Sequence, residues 1–182
     1  MPNISSGGRT KRLEQDLKDM TILARRCPAI KFKTLDSGNA PQKYEVSFYL
    51  RTIIGVRGGR PIYREADKPT KVVIDLSGYP FGRIKANCIT MPQPYHPNWF
   101  EGGGWCQITG NSRVSDTLAE LVIRMAKTIQ FVPAVTNPGS AANGAAADWW
   151  EKNLRRSGYF PCDNTPIPEA FQLKSVITIH KK

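Results

Sequence analysis

The chain has 182 residues, enough for one compact domain and too few for two of ordinary size. An apolar fraction of 40% supports a proper core and excludes bulk disorder. Lys and Arg number 26 against 15 Asp and Glu, a net charge of +11. Such a surplus draws acidic partners and, non-specifically, nucleic acid, and it equally describes an ordinary lysine-rich surface.

Residues 1–9 are small and polar, with no apolar run, and are expected to be disordered rather than a signal peptide. From Thr10 the pattern turns helical: Leu13, Leu17, Met20 and Ala24 share one face, with Lys11, Arg12, Gln15, Lys18 and Asp19 mostly turned from it. Cys27-Pro28 ends this helix, because the residue before proline is pushed out of the α region. Strands are expected over residues 30–35, 44–50, 70–76 and, more weakly, 84–90. Tyr44, Val46, Phe48 and Leu50 alternate with Glu45, Ser47 and Tyr49. Between the second and third strands, residues 55–61 read as turn chemistry for a long hairpin loop. Sequential strands with short links predict a four-stranded antiparallel meander.

Residues 91–106 are too rich in proline, histidine and glycine for helix or strand. Ser115, Asp116 and Thr117 then offer caps to a central helix carrying Leu118, Leu121, Val122, Met125 and Ile129 at helical spacing. A second irregular crossing over residues 133–144 precedes a final helix over 145–156, capped by Asn143 and carrying Trp149 and Trp150. Residues 174–180 close the chain with a β-like pattern. The fold class is α+β, with the domain over residues 10–160 and an extension over 161–182 packed on it.

The four cysteines, Cys27, Cys88, Cys106 and Cys162, show no Cys-x-x-Cys spacing, and His96 and His180 are the only histidines. This pattern predicts no metal site and no disulfide framework. No apolar run approaches a membrane span. A reducing, cytoplasmic setting without membrane association is expected.

The order of elements is helix, meander, irregular segment, helix, loop, helix. Tyr79-Pro80-Phe81 after the third strand, Tyr95-His96-Pro97-Asn98, and Cys106 eight residues beyond Asn98 together resemble the signature of ubiquitin-conjugating enzymes. The stretch from Thr10 through Leu17 is similar to that family's first helix, and Ser140 through Ala146 resembles the segment before its third. The resemblance runs from about Lys11 to Leu154 and implies a ubiquitin-conjugating-enzyme-like fold. It also implies a transferase that accepts an activated ubiquitin-like protein from an activating enzyme as a thioester on Cys106. The modifier then passes to an amine, typically a lysine, on a target protein, with a ligase where one is needed. No cofactor is implied, because ATP is consumed upstream.

Cysteine suits such a carrier, since its thiolate is strongly nucleophilic and a thioester is reactive toward amines. Gly102-Gly103-Gly104 lets a partner's chain pass close to the backbone. Taken alone, Cys106 beside Trp105 also reads as a small buried residue. Asn98 has two candidate roles, donating to an oxyanion or bracing the active-site loop. For His96 the family pattern implies a structural residue rather than a base. Phe100 stands where many members carry a tyrosine and would form a wall of the acceptor site; Ser140 stands at the gate position where many carry an aspartate. Gly82-Arg83-Ile84 replaces the usual proline pair, Arg113-Val114 lies near the expected tryptophan, and a β-like tail replaces a fourth helix. These departures point to a divergent member, of the kind found in bacterial ubiquitination-like pathways. Lys11, Arg12 and Lys18 are expected to dock the activating enzyme. Two other readings use the same residues: a non-catalytic module that binds a ubiquitin-like protein, and a basic nucleic-acid-binding protein. The second is disfavoured, because the cations are dispersed along the sequence and no aromatics interleave with them.

Overall fold

A computed structural model describes residues 6–79, 84–106, 117–156 and 158–169. Helix α1 spans Ser6–Arg26 and leads into strands β1 (Ile30–Thr34), β2 (Lys43–Phe48), β3 (Thr52–Arg57), β4 (Arg60–Arg64), β5 (Thr70–Asp75) and β6 (Lys85–Cys88). Helices α2 (Leu118–Ile129) and α3 (Gly144–Asn153) follow, with short 3₁₀ turns at Pro133–Val135 and Pro138–Ser140 between them.

Two features of α1 differ from the sequence pattern. The helix begins at Ser6, four residues before the start that the pattern gives at Thr10. Arg9 anchors this first stretch: its Nε donates to the Tyr79 carbonyl at 2.9 Å and its Nη2 to Gln42 Oε1 at 2.7 Å. The buried stripe is also rotated. Leu13, Asp16, Met20, Leu23 and Cys27 are buried, whereas Leu17 and Ala24 are only half-buried. A carboxylate therefore lies on the face that packs inward.

Strands β1-β2-β5-β6 form an antiparallel meander in that order. Alternation sends Tyr44, Val46, Phe48, Val72, Ile74, Ala86 and Cys88 inward. They meet α1 and the apolar face of α2, where Leu118, Leu121, Val122, Met125 and Ile129 are buried. Burial of a large aliphatic or aromatic side chain contributes about 1.5–3 kcal/mol, so this layer dominates the stability.

The expected loop at residues 55–61 is instead a β-hairpin, β3-β4, turning at Gly58 and Gly59 with φ of 56° and 76°. Two consecutive positive φ values make the tight turn whose twist matches antiparallel strands. Three glycines and Pro61 hide the β-branched run Thr52-Ile53-Ile54 and the β-favouring pair Ile62-Tyr63 that form the strands. The hairpin is held from outside itself, since the Trp149 indole N–H donates to the Gly59 carbonyl at 3.2 Å and the Tyr95 N–H to the Ile53 carbonyl at 2.8 Å.

Helix α2 starts in a capping box: Thr117 Oγ1 accepts from the Glu120 N–H, and Glu120 Oε2 accepts from the Thr117 N–H. Ser115 and Asp116 lie outside the described residues. The buried Asp16 adds a third cap, its Oδ1 accepting from the Leu118 N–H at 3.0 Å. At the other end Phe131 takes φ of 59°, and the N–H groups of Phe131 and Val132 return to the carbonyls of Thr128 and Lys127, both at 3.0 Å. This left-handed closure normally uses glycine; a side chain there costs about 1–2 kcal/mol. The gain is the position of the Phe131 ring in a second, aromatic core with Ile53, Trp149, Trp150 and Cys162.

Asn143 caps α3, accepting from the Ala146 N–H at 3.0 Å, and the helix ends at Asn153, three residues before the expected end. Residues 158–169 then run back over the domain. Cys162 N–H donates to the Gln130 carbonyl, Asp163 accepts from the N–H groups of Arg51 and Thr165, and Ile167 packs on the main core. The β-like segment at 174–180 lies outside the described residues, as do Pro80, Phe81, Gly82, Arg83, Arg113 and Val114. Among the described residues no helix is long and apolar enough to cross a membrane.

Candidate active site

Residues 95–106 are irregular in backbone and closely tied. His96 is fully buried. Its Nδ1 accepts from the Asn98 N–H at 3.0 Å, and its Nε2 lies 3.1 Å from Thr136 Oγ1. The Thr136 hydroxyl donates to the Val132 carbonyl at 3.1 Å, so it must accept from His96. The ring is therefore neutral with its proton on Nε2, and both nitrogens are in use. Burial pushes its pKa down to about 3. Phe131 packs edge-on against it, ring centroids 4.6 Å apart. A residue so enclosed holds the loop and has no free nitrogen to take a proton from a substrate.

Pro97 and Asn98 join this segment to the crossing between α2 and α3. The Pro97 carbonyl accepts from the N–H groups of Ala142 (2.7 Å) and Asn143 (3.2 Å). Asn98 Oδ1 accepts from the Asn137 N–H at 3.2 Å. Asn98 is buried, and with its oxygen committed its Nδ2 is the donor the side chain retains.

Beyond Asn98 the chain makes a short hairpin. Trp99 bridges Trp105, the Phe100 N–H donates to the Gly104 carbonyl, and the Gly103 N–H donates to the Phe100 carbonyl. The hairpin extends the sheet past β6, through Cys88 N–H to Gly103 O at 2.8 Å and Trp105 N–H to Ala86 O at 2.9 Å. Gly103 has φ of 86°, and a Cβ there would lie 2.8 Å from the Cys88 carbonyl oxygen, so only glycine fits. The hairpin closes with the Cys106 N–H donating to the Asn98 carbonyl at 2.8 Å. The eight-residue spacing thereby becomes a direct backbone contact, with Cys106 beside Asn98.

No family model matches the chain, and no curated protein matches it in sequence. Solved structures do match. One titled "Novel Ubiquitin-Conjugating Enzyme" is 17% identical, with a TM-score of 0.54 over 89% of this chain and 96% of that one. S. cerevisiae Ubc12 is 19% identical, with a TM-score of 0.50 over 81% of this chain and 70% of that one. The chain has the ubiquitin-conjugating-enzyme fold.

Within this ubiquitin-conjugating fold the four cysteines differ sharply. Cys27, Cys88 and Cys162 are buried, at 1%, 4% and 5% exposure, and Cys106 alone is half-exposed. Burial pushes all three buried thiols up, Cys162 to about 12, which keeps them protonated and unreactive. Phe100 stands on the Cys106 hairpin and is 48% exposed. Ser140 is exposed in the 3₁₀ turn between Asn137 and Ala142, the two points tied to Asn98 and Pro97. The structure thus gathers Cys106, Asn98 and His96 on one tied segment and braces it with the crossing that carries Ser140.

The α1 cations do not behave as a set. Lys11 and Lys18 are exposed, but Arg12 is folded inward, 3.6 Å from Asp16 and 5.4 Å over the Tyr79 ring. Thr136, Asn137 and Phe131 support the site and carry no sequence signal. Thr136 acts through one hydroxyl, Asn137 through its backbone, and Phe131 through an unusual φ.

Proposed function

We propose that this protein carries a ubiquitin-like protein as a thioester on Cys106 and passes it to an amine on a target. The Cys106 thiolate would attack the thioester carbonyl on an activating enzyme, whose cysteine leaves as a thiolate. An amine then attacks the new thioester, the Cys106 sulfur leaves, and the amine nitrogen loses a proton to water. The observation that carries this reading is the half-exposed Cys106 hydrogen-bonded to the Asn98 backbone, while the other three cysteines are buried.

In this reading the neutral, buried His96 sets the loop, and Asn98 braces the crossing through Oδ1 while its Nδ2 serves the oxyanion. Phe100 forms one wall of the acceptor site, and Ser140 marks its gate, where a hydroxyl can accept from an incoming amine. Of Lys11, Arg12 and Lys18, the two lysines are the ones exposed to meet an acidic activating enzyme. The Lys11→Glu/Lys18→Glu variant should slow loading at low salt and converge on wild type at high salt, because such charges act mainly on the on-rate. Loading unchanged at low salt would remove α1 from the docking surface. A bacterial ubiquitination-like pathway in the cytoplasm is the setting this reading proposes.

Alkylation of the native protein with N-ethylmaleimide, read by intact mass and peptide mapping, tests the nucleophile. One equivalent should attach, at Cys106, with Cys27, Cys88 and Cys162 modified only after unfolding. An inert Cys106 would favour the non-catalytic binding module on the same fold.

A further inference from the structure

The cations that look scattered along the sequence are collected by folding. In β1, β2, β5 and β6 the odd-numbered positions point away from the helices, because the even-numbered ones, apart from the exposed Thr34 at the end of β1, are buried or half-buried against the core. Among the described residues of these strands, that outer face carries five lysines and two carboxylates. The pairing sets them in rows. Lys31 and Lys71 flank Ser47 in one row, and Lys43 and Lys85 flank Asp75 in another. Between these rows Lys33 faces Glu45.

Asp75 offsets one of the two lysines that flank it and leaves that row net positive, and Glu45 does little to offset its neighbours. Glu45 lies 3.3 Å from Lys33 and 3.8 Å from Lys71, and its side chain is 15% exposed against 63% and 45% for theirs. The carboxylate is sunk beneath two ammonium groups, and the surface offered outward is positive. Lysines flanking a middle strand stand about 10 Å apart, and the two rows, four residues apart along β2, about 14 Å apart. That is close to the roughly 12 Å width of a duplex major groove, which separates the phosphates of two strands. The interior of the face is low, with Ser47 and Val73. Tyr49 at its margin has its ring covered by Lys31 at 4.9 Å, so it is not free to stack on a base. An ordinary protein interface centres on aromatic anchors seated in pockets, and this face offers none that is free.

We propose that the outer face of the β1-β2-β5-β6 sheet binds the phosphate backbone of a double-stranded nucleic acid without reading its sequence. The inference rests on the sheet alone and stands independently of the chemistry of Cys106.

Fluorescence anisotropy with a labelled 20-base-pair duplex, titrated with the full chain between 50 and 200 mM salt, tests it. With about four phosphates neutralised, log affinity should fall against log salt with a slope of about −3.6. The Lys31→Gln/Lys43→Gln/Lys71→Gln/Lys85→Gln variant should lose most of that slope and at least about 30-fold in affinity at 50 mM salt. The pair Lys31→Gln/Lys71→Gln should lose about half the slope, which reports the face even if the fourfold variant folds poorly. The control Arg60→Gln/Lys152→Gln/Arg155→Gln/Arg156→Gln removes the same charge elsewhere and should lose less than about 3-fold. Equal losses in the two fourfold variants would reduce the effect to net charge and overturn the site. No duplex binding by wild type, or binding to phosphatidylserine vesicles or polyglutamate at least as tight as to the duplex, would overturn the nucleic-acid assignment.

Discussion

Asn98→Ala should slow discharge of the Cys106 thioester to free lysine by about 10²–10³-fold, the usual cost of removing one oxyanion donor. Loading from the activating enzyme should fall far less, because thiolate exchange onto Cys106 needs an accessible sulfur more than a new donor. The substitution also strips the Asn137 N–H of its acceptor, at 3.2 Å in the native protein. A lost partner of this kind costs about 1–3 kcal/mol, so the melting temperature should drop by a few degrees. The two readouts separate the two roles of Asn98. Discharge at the wild-type rate with a lowered melting temperature would leave Asn98 as a brace alone. The measurement is single-turnover disappearance of the charged species on a non-reducing gel.

Asp16→Asn should stabilise the protein at pH 7 by about 3 kcal/mol and leave it unchanged at pH 4. Desolvation is the main cause that raises the Asp16 pKa from 3.8 to about 6, against the opposing Leu118 N–H and Arg12. Between those two pH values the folded state holds a proton that the unfolded state releases. Stability therefore falls as pH rises through this window, by about 1.4 kcal/mol per unit. Above pH 6 the ionised, buried carboxylate carries the whole cost, and below 3.8 none of it. Asparagine keeps an oxygen for the Leu118 N–H and carries no charge. His96 acts with the opposite sign: its folded pKa is about 3 against an ordinary 6.5, so the unfolded state takes up a proton first and stability falls as the solution is acidified. From about pH 4 to 6 the two slopes nearly cancel in the wild type. In Asp16→Asn the His96 slope is uncovered, and stability should drop by about 1.4 kcal/mol per unit of acidification. Urea denaturation of both proteins at pH 4, 5, 6 and 7 checks this; parallel curves for the two would show that Asp16 ionises normally.

The sequence carried the fold wherever periodicity was strong. The Tyr44 to Phe48 alternation and the Leu118 to Ile129 spacing gave β2 and α2, whose burial follows those patterns. Thr117 and Asn143 were readable as caps because short polar side chains before apolar runs have little other use. Long-range contacts were not readable. The first turns of α1 depend on Arg9 reaching Tyr79, 70 residues away. Asp16 carries no signal of burial in the sequence, and only the arrival of the α2 N-terminus makes a buried acceptor useful there. The β3-β4 hairpin was hidden because its glycines and Pro61 are both turn formers and, at an edge, tolerated strand residues. At the site, the His96-Pro97-Asn98 run and the distance to Cys106 pointed to the segment that the structure ties together. The hairpin closure that seats Cys106 on Asn98, and the ties to Thr136 and Asn137, are backbone and hydroxyl bonds without a residue-type signature. The lysines of the outer sheet face looked dispersed because a period of two across four strands is invisible until the register is known.

Intact-mass spectrometry of a charging reaction addresses the carrier chemistry most directly. The protein would be incubated with ATP, a ubiquitin-like protein and an activating enzyme, once that modifier is seen to load on its activating enzyme. Wild type should gain one modifier mass that a thiol reductant removes. Cys106→Ser should gain the same mass as a reductant-resistant ester, and Cys106→Ala should gain none. A wild-type mass that stays unchanged, or an adduct that persists in Cys106→Ala, would contradict Cys106 as the carrier and leave the fold with a binding role.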